Sequence, residues 1–316
     1  MITGKIFTAS ALITLLTLAT TPAGAQKQEA IAVITELKLN RGDIQIQLPG
    51  KNTSERAAVL QSLFPGTRVL ASKNAVAVVL FTDGSKTVTV DEKSSPFEVK
   101  GSQAKGREPN VLGQVAALLL GKKQPPTYVA LATRGSKRPP TILSPRNTRI
   151  MSEAPNLQWM GMDQQTGTVR VYGPQGTIWT AENLALTQIK YPSDAVPLQP
   201  GIDYSWSLEK KGFPPETASF KLLASEESTR IQERLASLQT TAGATSTTLA
   251  ILQASFLISN ELFYETREIL IAALKTDPDE PTLHLLLGDL YDRTGLKNLA
   301  ADEYGEAEFL SKGQLQ

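Results

Sequence analysis

Three hydrophobic periodicities follow one another along the chain. From Ala32 to about Gly101 the apolar residues come in short runs. Val76 to Phe81 is continuous, and Val88 and Val90 alternate with threonines after the turn Asp83-Gly84-Ser85. Asp-Gly between β-prone runs predicts a hairpin, because the tight hairpin turns need positive φ at their central residues. Upstream, Pro65-Gly66 opens another strand within Leu63–Ser72, so this block reads as all-β. From Thr141 to about Leu223, strand-like runs recur at short spacing: NLQWM, GTVRVYG, GTIWTA, TQIKYP, DYSWSLE and TASFKLL. Turn residues separate them, which is the pattern of an antiparallel sandwich. From Ser225 onward the period changes to that of a helix. SEESTRIQERLASLQ puts Ile231, Leu235 and Leu238 on one face, with Ser225 expected as the cap, and the helical period resumes after TTAGATS. Between the two β blocks, residues 102–140 read as a connector with Gly and Pro at both ends and one short apolar helix, Val111–Leu120.

The helical block repeats itself. At a period of 34, Thr247–Glu280 aligns with Pro281–Gln314: Ala254 falls opposite Gly288, Leu257 opposite Tyr291, Leu262 opposite Leu296, Leu270 opposite Tyr304, and Ala273 opposite Ala307. This resembles the tetratricopeptide repeat, a helix–turn–helix unit. In the second copy Leu287-Gly288, Tyr291, Gly295, Ala300, Tyr304 and Ala307 sit at consensus positions. In the first, Thr266 replaces the usual alanine and Glu261 the turn glycine. Small residues at Gly288, Ala300 and Ala307 let paired helices approach closely. Two copies are fewer than the three that such arrays normally need, so the helix over 225–239 is expected to cap the first. A groove of this kind takes an extended or helical protein segment. Its candidate partner-binding residues are Asn260, Asp289, Asp292 and Arg293.

Two further resemblances concern the β blocks. Gly66-Thr67-Arg68-Val69, the small residues around Ala75 and the strand ending in Asp83-Gly84-Ser85 resemble the FecR-type domain of bacterial envelope proteins, over roughly Val33 to Lys100. In the founding members that domain lies outside the cytoplasmic membrane and signals through a membrane helix to a cytoplasmic segment controlling a sigma factor. The chain departs from that plan, so what the resemblance implies is a β-rich envelope module, with a signalling sensor as a further alternative. LQPGIDYSWSLE, Leu198 to Glu209, is similar to the late corner of a fibronectin type III or immunoglobulin-like domain. Trp159, Trp179 and Trp206 are expected in its core.

Charge and composition narrow the functional classes. Residues 1–25 combine Lys5, an apolar stretch from Ile6 to Ala19 and Ala23-Gly24-Ala25, the layout of a cleaved signal peptide with Gln26 as the first mature residue. The expected location is therefore the periplasm or cell envelope, with no stable membrane span after cleavage. Zero cysteine excludes disulfides, thiol nucleophiles and thiolate metal sites. Residues 26–150 carry 19 Lys and Arg against 9 Asp and Glu, whereas residues 151–316 carry 12 against 22. The basic excess peaks in the connector, where Lys105, Arg107, Lys122, Lys123, Arg134, Lys137 and Arg138 are candidate ligands for an anionic wall or surface polymer. Only Tyr128 offers a stacking ring there, so no nucleic-acid partner is expected.

The candidate chemistry dissolves on inspection. His284 is the only histidine, and the repeat accounts for it as an inter-helix residue. Ser102-x-x-Lys105 has no companion Lys-Thr-Gly strand, and Gly101-x-x-x-x-Gly106 is followed by Arg107-Glu108 instead of Lys and a hydroxyl residue. Thr276-Asp-Pro-Asp-Glu-Pro281 reads as the turn between repeats, without calcium-loop spacing. The expectation is a multi-domain β plus α protein: a signal peptide (1–25), a FecR-like all-β module (26–101), a connector (102–140), a sandwich (141–224), and a capping helix with two tetratricopeptide repeats (225–316). It is not expected to be an enzyme or to carry a cofactor or metal. Its expected role is that of an exported scaffold or adaptor binding a protein partner through the helices, with polymer binding through the first module and connector as the alternative.

Overall fold

The computed structural model describes residues 29–83, 86–101, 111–120, 139–162 and 166–312. The signal segment and all seven basic connector residues lie outside them. The β content comes first and most of the helices follow. The first module comprises β1 (Ala32–Lys38), β2 (Ile44–Gln47), β3 (Ser54–Arg56), β4 (Ser62–Leu63), β5 (Arg68–Ala71), β6 (Val76–Phe81), β7 (Thr87–Val90) and β8 (Phe97–Glu98). They form two four-stranded antiparallel sheets, ordered β4-β1-β6-β7 and β3-β2-β5-β8. The expected hairpin is β6 with β7, paired from Leu80 opposite Thr87 to Ala77 opposite Val90. The strand after Pro65-Gly66 is β5, which belongs to the other sheet. Ile34, Ile44, Ile46, Val69, Val79 and Val90 share one core cluster.

The uninterrupted apolar run of β6 has a physical cause. Ala77, Val79 and Phe81 belong to that core, whereas Leu80, with Val33 of β1, belongs to a second core made mainly of helices. A strand covered on both faces has no reason to alternate.

The second module contains β9 (Thr141–Ser144), β10 (Thr148–Ile150), β11 (Asn156–Met160), β12 (Gly167–Gly173), β13 (Gly176–Leu184), β14 (Gln188–Lys190), β15 (Asp203–Lys210) and β16 (Glu216–Leu222). They make a five-stranded sheet, β10-β16-β15-β12-β13, and a three-stranded sheet, β14-β11-β9. Pairing is antiparallel except between β10 and β16. Trp159 and Trp206 are buried with ring centroids 6.4 Å apart, and Trp206 Nε1 donates to the Pro145 carbonyl at 2.8 Å. Trp179 departs from the expectation: it lies on edge strand β13, only partly buried, with its ring edge-on to Tyr191 at 5.6 Å.

The helices are α1 (Val111–Leu120), α2 (Ser225–Gln239), α3 (Ser246–Ser259), α4 (Phe263–Thr276), α5 (Pro281–Arg293) and α6 (Lys297–Lys312). Short turns join α3 to α4 and α5 to α6 as two hairpins, and α4 stacks on α5. Gly288 is where α5 meets α6: a Cβ there would stand 2.6 Å from the Tyr304 ring. One cap expectation fails. Ser225 lies inside α2, whose N-cap is Ala224 and has no side-chain capping bond. Ile231 and Leu238 of α2 are buried in the helical core, with Leu235 packed at its margin. Helix α1 packs against α2, α3, β1 and β6, with Val115 and Leu119 fully buried. No helix among the described residues is long and apolar enough to cross a membrane.

Candidate functional site

The four expected partner-binding residues lie toward the C-terminal ends of α3 and α5. Asn260 is the C-cap of α3; its side chain donates to the Phe256 carbonyl at 2.8 Å and its own carbonyl accepts from Arg149 at 3.4 Å. On α5, Asp289 pairs with Arg293 at 3.1 Å, and Asp292 pairs with Lys297 at 2.6 Å. Arg293 is exposed, whereas Asp289 and Asp292 are half-buried.

The opposite ends of α3 and α5 meet the first module at a polar cluster that the sequence does not advertise. A β-bulge in β1 creates it. The register against β6 slips between Ile34, opposite Val79, and Glu36, opposite Val78. The slip leaves Leu37 in the core between the sheets and aims Glu36 at the helices. There Glu36 accepts hydrogen bonds from the hydroxyls of Thr245 and Thr248, and Thr245 also caps α3 through the Thr248 amide at 2.9 Å. Glu280 is the N-cap of α5 and accepts the Thr282 amide at 3.1 Å. It also accepts the Leu37 amide of β1 at 3.2 Å. Asp277 completes the group, held by Lys38 Nζ at 2.6 Å and by the Thr247 hydroxyl at 2.7 Å.

Carboxylate oxygens of Glu36, Asp277 and Glu280 lie within 4.8 Å of one another, a spacing compatible with a divalent cation. The positive charge is already supplied. Lys38 bridges Asp277 and, at 3.8 Å, Glu36, and its pKa is raised: burial opposes the charge, but the hydrogen bond and charge of Asp277 outweigh it. Glu280 has no exposed surface; desolvation, with Glu36 nearby, pushes its pKa up to about 7 despite the amides it accepts.

The sandwich holds the other ends of the same helices. Arg146 Nε donates to the Thr294 carbonyl at the end of α5 at 2.9 Å, and the Arg149 amide donates to the Glu261 carbonyl just past α3 at 3.0 Å. Arg149 also pairs with Glu227 of α2 at 2.5 Å. Acids thus face the positive N-terminal ends of α3 and α5, and arginines face the negative C-terminal ends, each sign complementing the helix dipole. Helix α4 has no cap of its own at Leu262. The Thr148 hydroxyl of β10 supplies one, accepting the Phe263 amide at 2.9 Å and the Tyr264 amide at 3.3 Å. Next to it, the buried Glu265 carboxyl accepts the Met151 amide at 2.6 Å, with the Ser152 amide and its own also favouring the carboxylate. Burial pushes its pKa up to about 7.

His284 bridges helices through polar contacts and not as an apolar filler. One ring nitrogen faces a Glu303 carboxylate oxygen at 2.7 Å and the other the Pro278 carbonyl at 2.8 Å. Both partners are acceptors, an arrangement that favours a ring protonated on both nitrogens. Burial opposes that charge, and the bonds to Glu303 and Pro278 more than offset it, so its pKa is raised.

No protein-family model matches the chain, and no curated protein matches it. Sequence reasoning missed Glu36, Lys38, Thr148, Glu265 and Glu280 as a set. The one available signal was Glu36 with Lys38 inside the otherwise apolar run AVITELK.

Proposed function

We propose that this chain is an exported bacterial envelope scaffold or adaptor, in which two β modules hold a short tetratricopeptide-like helical module that binds a protein partner. The observation that carries the reading is the pair of stacked helical hairpins set one 34-residue period apart, with Gly288 of α5 against Tyr304 of α6 inside the second. The FecR-like and immunoglobulin-like resemblances of the β modules and the signal-like N-terminus support an envelope setting. Sheet β4-β1-β6-β7 and α1 already cover part of the helical module. The surface proposed for the partner is the C-terminal half of α5, around Asp289, Asp292 and Arg293, away from that contact.

The test replaces Asp289, Asp292 and Arg293 together with alanine and compares proteins captured from envelope extracts by the variant and by the unaltered chain. The variant should keep its helical circular dichroism and lose specific partners. Recovery of the same partners by both would sink the reading.

A further inference from the structure

Each β module is fastened to the helical module in the same way. A glutamate from the helices enters the seam, buries its carboxyl and accepts a backbone amide from the facing strand or the loop after it. At the first seam Glu280 takes the Leu37 amide of β1. At the second, Glu265 takes the amide of Met151, directly after β10. Among the described residues neither carboxyl forms a salt bridge, although Lys38 is near enough to Glu280 for their charges to interact. The charged groups facing Glu280 are Glu36 and Lys38 of β1 and Asp277 of the α4–α5 turn, and Lys38 is engaged 2.6 Å from Asp277. Around Glu265 the titratable neighbours are Glu268 and Tyr264 on α4, while the sandwich contributes backbone. The Tyr264 hydroxyl accepts the Asn156 amide at 3.0 Å, and Arg267 lies 3.8 Å from Glu268.

A buried carboxylate with no counter-ion of its own is costly, and taking up a proton relieves that cost. The geometry points to a proton-tightened assembly: protons bound at Glu280 and Glu265 strengthen the docking of the first module and of the sandwich on the helices, and both seams loosen as the medium turns alkaline. The sign follows from linkage. Both carboxyls hold their proton up to about pH 7 when the seams are closed, and up to the ordinary value near 4.5 when they are open. The closed form therefore binds the extra proton between those limits. Its advantage is fully present below about pH 4.5 and is lost as pH rises through about 7. His284 has the same sense but lies within the helical module, on α5, α6 and the turn between α4 and α5.

The test uses the full chain and the variants Glu280→Gln and Glu265→Gln, singly and together. Glutamine keeps the size and an acceptor oxygen while fixing the neutral state. Hydrogen exchange at the Leu37 and Met151 amides, corrected for intrinsic pH dependence, reports each seam separately. In the unaltered chain, protection at both amides should fall with pH between about 5 and 7, by up to about tenfold per pH unit for one proton. Glu280→Gln should flatten the profile at Leu37 alone, and Glu265→Gln at Met151 alone. At pH 8 the double variant should melt higher than the unaltered chain, with the difference vanishing near pH 5. A flat profile in the unaltered chain, or an unchanged slope at the local amide in either variant, overturns the proposal. The unaltered chain alone decides the first of these even if a variant folds poorly.

Discussion

The two seams that hold the helical module differ in kind. At the first, the module and the helices share one core: Val33 and Leu80 of the first sheet lie in the same apolar cluster as Val115 and Leu119 of α1 and the leucines of α3 and α5. At the second, the sandwich keeps a core of its own around Trp159 and Trp206. It reaches the helices through hydrogen bonds at Arg146, Thr148, Arg149 and Met151, through Tyr264 of α4 in the sandwich core, and through Leu143, Met151 and Leu223, which meet the helical core from the sandwich side. Apolar burial is non-directional and scales with area, whereas a seam of end-caps depends on a few angles. The first module and the helices should therefore behave as one cooperative unit, and the sandwich as an attached neighbour.

The largest expected effect comes from breaking the shared core. Leu119→Asp would bury an unpaired charge where α1 meets α2, α3, β1 and β6. It should cost about 4 kcal/mol and lower the melting of the helices and of the first module together. Circular dichroism for the helices, with tryptophan fluorescence for the sandwich, which holds all three tryptophans, separates the units. Thr148→Val attacks the other seam. Losing the cap of α4 should cost about 1–2 kcal/mol in chemical denaturation and loosen the sandwich without melting the first module. The smallest effect belongs to His284→Leu, which lies at neither seam. Its bonds to Glu303 and Pro278 contribute about 1 kcal/mol while the ring is charged. With the folded pKa raised above 6.5, that contribution is present at pH 6 and lost as pH rises through the folded value. The variant should thus be destabilised at pH 6, with the deficit shrinking as the pH is raised, as read by a series of thermal melts.

These differences also mark what the sequence could disclose. Local period was sufficient for the hairpin β6–β7, for the six strand runs of the sandwich and for the helix Val111–Leu120. The continuous run of β6 even carried the information that both of its faces are covered. The seams were another matter. The Leu37 amide and Glu280 are 243 positions apart, and Thr148 caps an amide 115 positions away, so no window along the chain holds both partners. Thr276 to Pro281 read as an ordinary turn because Glu36 and Lys38, which complete its polar cluster, come from β1. Register hid the rest: without the bulge after Ile34, strand alternation would place Glu36 on the same face as Ile34, away from the helices. His284 was legible as an inter-helix residue, but its charge depends on Glu303 and the Pro278 carbonyl. For the four residues proposed to bind a partner, the sequence pattern supplied the helix end and not the neighbours: Arg149 at Asn260 and Lys297 at Asp292 emerge only in three dimensions.

The shared core is tested most directly by native-state hydrogen exchange in rising denaturant, followed at amides of β1, α3 and α5 and, for comparison, of β12 and β15. The amides of β1, α3 and α5 should converge on one opening transition, with β12 and β15 following a separate one. Protection of α3 and α5 that persists after β1 has opened would contradict a single core spanning the first module and the helices.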